Sequence, residues 1–183
     1  MQAQIWQLAT ILSLYLLGSG TVHAISLDIV DKLDIKAIKS INLNQTEDEF
    51  RAAVAVQFSN SAKAALKFRN ANFVITFKND TGNEIFLGTT KPKELYFPAS
   101  KDGSARLKEE VLDVYVGKNV LDTITRLIAL FNLIGNPDSE FAMILSGTTE
   151  VGTKAKRGWI YQGEVELEKF TFHPTIQREV LFK

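Results

Sequence analysis

The side chains able to do chemistry are few and poorly grouped. The chain has no cysteine, which excludes disulfides, thiolate metal sites, iron–sulfur clusters and a lipid-modified N-terminal cysteine. Of its two histidines, His23 lies in a segment assigned below to a removable leader. His173 remains, and it precedes Pro174, which biases its backbone to extended geometry at the end of a strand. A lone imidazole with no Ser or Cys nucleophile beside it has nothing to activate. Ser146-Gly147 and Gly18-Ser19-Gly20 lack the Gly-x-Ser-x-Gly turn of a nucleophile elbow, and neither a phosphate loop nor a dinucleotide fingerprint occurs. The sequence therefore predicts no catalytic residues, no metal ligands and no cofactor.

The charged clusters read as surface. Glu164, Glu166 and Glu168 fall on one face of a strand, successive carboxylates roughly 7 Å apart. A hard cation takes oxygens that converge from a loop, and a straight row does not converge. Glu47-Asp48-Glu49 opens a strand, and Lys154, Lys156 and Arg157 crowd a turn tip that favours solubility. The 21 basic residues balance 21 acidic ones, so there is no cationic excess to neutralise phosphates and nucleic acid is not an expected partner.

Composition marks one boundary. Residues 1–24 contain no charged side chain, and every Asp, Glu, Lys and Arg follows them. The apolar run Ile5 to Leu17, then Gly18-Ser19-Gly20 and Val22-His23-Ala24, has the form of a secretory leader cleaved after Ala24. It falls short of the ~20 apolar residues that span a bilayer. The expected organisation is a signal peptide, 1–24, and a single domain, 25–183, exported to a periplasm or secreted. The alternative is retention as a membrane anchor through residues 5–17, the only expected route to membrane association.

The elements that position these side chains follow from periodicity. Phe50, Ala52, Val54, Val56 and Phe58 alternate with Arg51 and Gln57 among the intervening residues, a strand with one buried face. Phe73, Ile75 and Phe77 repeat the pattern, and Asp80-Thr81-Gly82-Asn83 turns the chain into Glu84 to Gly88, a hairpin. Ile35 to Leu43, Leu95 to Phe97, and the stretch carrying Leu112, Val114 and Val116 supply further strands, with a turn at Lys101-Asp102-Gly103. From Asn119 to Ile134 the period changes. Val120, Ile124, Leu127, Phe131 and Ile134 form a helical stripe that Leu121 and Ile128 widen, with Asn119 as N-cap and Gly135-Asn136-Pro137 as terminator. Phe141 to Ser146 is apolar on both faces, and Gly147 is expected to loosen the strand. Trp159, Tyr161, Val165 and Leu167 alternate with polar residues until Phe170 and Phe172 change parity, which predicts a β-bulge near Lys169. About eight short strands and one helix predict a mostly β protein, an antiparallel β-sandwich of immunoglobulin or fibronectin type III kind with the amphipathic helix crossing at 119–134.

Several local phrases stand out along these elements. A strand ending in Asn before a small-residue bend appears as Val54 to Asn60 and Ser61-Ala62. A Gly followed by small polar residues, leading to an apolar-Pro step, appears as Phe86-Leu87-Gly88-Thr89-Thr90 and Leu95-Tyr96-Phe97-Pro98. A Leu-rich helix follows, then an apolar-x-Leu-x-Gly strand, Phe141 to Gly147, and a closing strand, Trp159 to Leu167. Together these phrases resemble the late embryogenesis abundant (LEA) type 2 family, also called the water stress and hypersensitive response (WHy) domain, and the resemblance covers about residues 33–172; the family's Asn-Pro after the second strand is absent, because Ser61 follows Asn60. It implies a sandwich without catalytic residues, associated with stress response, desiccation tolerance or envelope and extracellular roles.

Two functional expectations follow. In the first the domain is a non-catalytic protective or scaffolding module that meets an envelope protein. In the second it is a periplasmic carrier of a lipid or other hydrophobic ligand, held between helix and sheet. All 12 Phe follow the leader. The helix stripe, the parity change at Phe170 and the tail Val180-Leu181-Phe182 suggest an apolar rim, with Ile124, Leu127, Phe131, Phe170 and Phe172 as the candidate interaction or ligand surface.

Overall fold

Period-two alternation carries most of the chain into strands, as the computed structural model of the protein shows for residues 30–135 and 140–176. Contacts divide the chain into Met1–Lys32 and Leu33–Lys183. The leader with its cleavage site at Ala24, the Asn136-Pro137 terminator and the tail Val180-Leu181-Phe182 lie outside the described residues. The body runs β1 (Leu33–Gln45), β2 (Phe50–Asn60), β3 (Leu66–Asn79), β4 (Glu84–Thr90), β5 (Glu94–Phe97), β6 (Arg106–Gly117), α1 (Val120–Gly135), β7 (Phe141–Ala155), β8 (Gly158–Phe172) and β9 (Thr175–Ile176).

The strands form one sheet in the order β8-β7-β3-β4-β6-β2-β1-β9, with β5 also on β3. Every pairing is antiparallel except β1 with β9. The sheet is open, and its apolar side packs in a sandwich-like manner. Phe97 of β5 meets Phe58 of β2 at 5.0 Å and Phe68 of β3 at 5.1 Å, both edge to face, the arrangement that ring quadrupoles favour. The expected inward residues Ala52, Val54, Val56, Phe58, Phe73, Ile75, Phe77, Leu112, Val114 and Val116 are buried in this core, whereas Phe50, at the start of β2, is only half-buried.

Bulges account for the places where alternation misleads. β8 has two residues, 168 and 169, opposite one on β7 between the pairs Leu145↔Phe170 and Gly147↔Leu167, the bulge that the parity change at Phe170 predicts. A second bulge, at Gln162-Gly163, lies between Glu150↔Glu164 and Gly152↔Tyr161. It turns Trp159 and Tyr161 onto the face opposite Val165 and Leu167, correcting the expectation that all four share one face. On that outer face Tyr161 lies over Gly152 and under the Arg69 guanidinium, 3.6 Å from its centroid, and Lys67 sits 4.7 Å from the Trp159 ring. A third bulge, at Asn70-Ala71 with Asn70 at φ 52°, puts Leu66 and Phe68 out of phase with Phe73 and Ile75 yet on the same face. That break hides the first half of β3 from a period-two reading.

Gly147 does not loosen β7, which continues to Ala155. Gly147 has φ +134°, and a Cβ there would lie 2.0 Å from the Asn72 carbonyl oxygen. The glycine lets two backbones approach inside a continuous strand.

Candidate interaction surface

Helix α1 begins where the sequence places it. The Asp122 N–H donates to Asn119 Oδ1 at 3.1 Å and the Thr123 N–H to the Asn119 carbonyl at 2.9 Å, which satisfies donors that a helix start otherwise leaves open. The helix packs on β4 and β6. Its buried residues are Thr123, Leu127, Leu130, Leu133 and Ile134. The expected stripe of Val120, Ile124, Leu127, Phe131 and Ile134 is thereby corrected. The helix is rotated so that only Leu127 and Ile134 of that set face inward, and Leu130 and Leu133 replace the others.

The rotation leaves a second apolar stripe outside. Val120 is 52% exposed, Leu121 77%, Ile124 43% and Ile128 55%. These positions gather within about a quarter turn of the helix, by the 3.6-residue period. The only charges in α1, Asp122 and Arg126, pair with each other at 2.8 Å, and Arg126 also lies 5.3 Å from the Phe86 ring centroid. An outward helix face ordinarily carries charge; this one presents aliphatic side chains with none among them.

The candidate surface residues therefore separate. Ile124 is exposed and Phe131 half-buried. Leu127, at 7% exposure, and Phe172, at 6%, belong to the core and not to an outer surface, because helix rotation and the β8 bulge at residues 168 and 169 turn them inward. Phe170 is half-buried and stacks on Phe172 at 6.2 Å. Both are on β8, whose partner is β7, whereas α1 packs on β4 and β6, so the five residues do not form one patch.

The other chemically suggestive groups are dispersed. His173 is exposed at the rim of a cleft of about 260 Å³. Glu164 and Glu166 are exposed, Glu49 pairs with Arg51 at 2.8 Å, and the Lys154 ammonium lies 5.5 Å from the Trp159 ring. Among the described residues no group of three or more His, Asp or Glu converges as a metal site, and no helix is long and apolar enough to cross a membrane. A second cleft, about 400 Å³, is lined by Arg51, Thr90, Lys91, Val111, Asp113 and Tyr115 among others. There Arg51 holds Asp113 through two bonds of 2.9 and 2.6 Å, which keeps the Asp113 carboxyl below the usual carboxylate range.

No protein-family model and no curated protein matches the chain. Among solved structures it is similar to a protein from Archaeoglobus fulgidus, at 7% identity over 78% of this chain and 98% of that one, TM-score 0.32. It is also similar to a protein from Arabidopsis thaliana, at 16% identity over 80% of each chain, TM-score 0.27. A solution structure described as that of a late embryogenesis abundant (LEA) protein matches at 17% identity over 92% of this chain and 90% of that one, TM-score 0.29. Likeness at this level carries no functional argument.

Proposed function

We propose that this chain is an exported, non-catalytic β-sandwich of LEA type 2 kind that shields or scaffolds other proteins during stress. The residues that carry the family resemblance have structural duties. Asn60 ties three carbonyls together, Gly88 and Gly147 permit close backbone approach, and Pro98 supplies one of the carbonyls. The observation that carries the functional reading is the uncharged aliphatic stripe on α1, because exposed apolar patches of this kind mark contact sites. Drying exposes apolar segments of client proteins, and the stripe offers them a reversible partner.

A labile enzyme such as lactate dehydrogenase, dried and rehydrated with the domain 25–183, is expected to recover more activity than with an equal mass of serum albumin. The double variant Ile124→Asp, Ile128→Asp loses that gain while stability changes by only about 0.5 kcal/mol, as surface substitutions do. Protection equal to albumin, or unchanged in the variant, rejects the reading. Export has its own measurement. Full-length chain expressed in a bacterium is expected in the periplasmic fraction with a mass that begins at Ile25, and a membrane-bound product retaining residues 1–24 would show anchoring in place of cleavage.

The carrier alternative requires room between α1 and the sheet. Leu127, Leu130, Leu133 and Ile134 already occupy that interface at 8% exposure or less. Lipid co-purifying in native mass spectrometry would favour the carrier over the shield.

A further inference from the structure

We propose that the open edge of β6, from Leu107 to Val111, together with the 400 Å³ cleft beside it, binds an extended peptide segment of a partner protein by strand addition. The partner segment carries aliphatic, basic and aliphatic side chains at alternate positions.

β6 pairs with β2 along its whole length, from Arg106↔Asn60 to Gly117↔Phe50. On its other side it pairs with β4 only at Val114↔Thr90 and Tyr115↔Thr89. Among the described residues no strand pairs with this side between Arg106 and Asp113. The direction of the backbone groups there follows from two contacts. The Thr90 hydroxyl donates to the Asp113 carbonyl at 2.7 Å, and a Cβ on Gly88 would lie 2.2 Å from the Tyr115 carbonyl oxygen. Carbonyls of residues 113 and 115 thus point toward the β4 side. In an antiparallel strand the N–H and C=O of one residue share a side and alternate along the chain, so those of Leu107, Glu109 and Val111 point to the open edge. Such a row is complementary to another extended backbone.

This edge is regular where β8 and β1 are not. β6 has no register shift against β2 between Arg106 and Tyr115, whereas β8 is bulged twice and β1 twice, and bulges twist an edge away from a partner. The side chains above the row set the partner's chemistry. Leu107 is 57% exposed and Val111 62%, with exposed Glu109 between them. Cross-strand pairs favour apolar opposite apolar and opposite charge opposite charge, hence aliphatic, basic, aliphatic. In the cleft that receives the end of the peptide, Arg51 is already neutralised by Asp113 and Glu49. On the other face of the strand the Lys108–Glu110 pair, 3.6 Å apart, places charge near the edge and disfavours indiscriminate pairing with apolar strands.

The inference does not depend on the helix stripe, and its experiment leaves the helix unchanged. The probe is a fluorescein-labelled heptapeptide with valine, lysine and valine at positions two, four and six and threonine at the other four; a second peptide has glutamate in place of lysine. Anisotropy titration of the full body is expected to show binding of the lysine peptide and slowed amide exchange at Leu107, Glu109 and Val111. Glu109→Lys weakens that binding about tenfold and reverses the preference toward the glutamate peptide. Glu109→Pro also weakens it, because it removes a donor that faces the open edge and not the β2 ladder. Failure of the wild-type chain to bind, equal binding of both peptides by wild type and Glu109→Lys, or protection confined to other amides would overturn the proposal.

Discussion

Replacing Asn60 by leucine is expected to lower the unfolding free energy of the body by about 3–5 kcal/mol, read as a fall in the urea midpoint at constant slope. Asn60 is 1% exposed. Its Nδ2 donates toward the carbonyls of Ala64, Phe97 and Pro98 at 3.2, 3.4 and 3.0 Å, and its Oδ1 accepts from the Ala62 N–H at 2.9 Å. One amide thus joins the end of β2, the bend that follows it and the end of β5. Leucine has similar volume and none of these groups, so it strands the buried Phe97 carbonyl and Ala62 N–H, which cost about 1–3 kcal/mol each when unsatisfied, and loses the part-buried bonds to Ala64 and Pro98. A loss below about 1 kcal/mol would mean that water or backbone relaxation replaces the amide.

The second large effect is expected from Gly147→Ala, a loss of about 3 kcal/mol or more with disturbed pairing of β3 and β7. The added methyl would stand 2.0 Å from the Asn72 oxygen and 3.1 Å from the Phe73 Cα, at φ +134°. Both nearest neighbours are backbone, so relief requires one strand to move away from the other. Gly158→Ala separates the two causes of strain. It has φ +143° but nothing within 4 Å of the added Cβ, so it reports the backbone preference alone, about 1–3 kcal/mol. Equal losses at the two glycines would show that close approach adds nothing at Gly147.

Local chemistry made much of this fold legible. The β3–β4 turn needs Gly82 at φ 88°, and the turn after Ser100 needs Asp102 and Gly103 at φ 52° and 78°; in both, the residue types that tolerate positive φ stand in the turn. Asn119 caps α1 because its short side chain reaches the open N–H of Asp122. The bulge at residues 168 and 169 was legible because Phe170 and Phe172 changed parity. The bulge at Gln162-Gly163 was not. Trp159 and Tyr161 share odd numbering with Val165 and Leu167, and as large apolar residues they fit a core pattern equally well. Their actual neighbours, Lys67 and Arg69, come from a strand about ninety residues earlier, a distance that no local pattern spans.

The candidate surface divides in the same way. Sequence alone determined that Asn119 to Ile134 is an amphipathic helix with a wide apolar stripe, that the chemistry-bearing residues are scattered, and that strands dominate. These properties follow from side-chain spacing and backbone preference, which act over a few residues. Tertiary structure decided which apolar stripe of α1 meets β4 and β6, and therefore that Leu127 is core while Ile124 is surface. It also decided that β6 keeps an open edge. Burial and strand pairing are contests among distant segments for the same apolar area and the same backbone hydrogen bonds, and the outcome is fixed only when all of them are in place together.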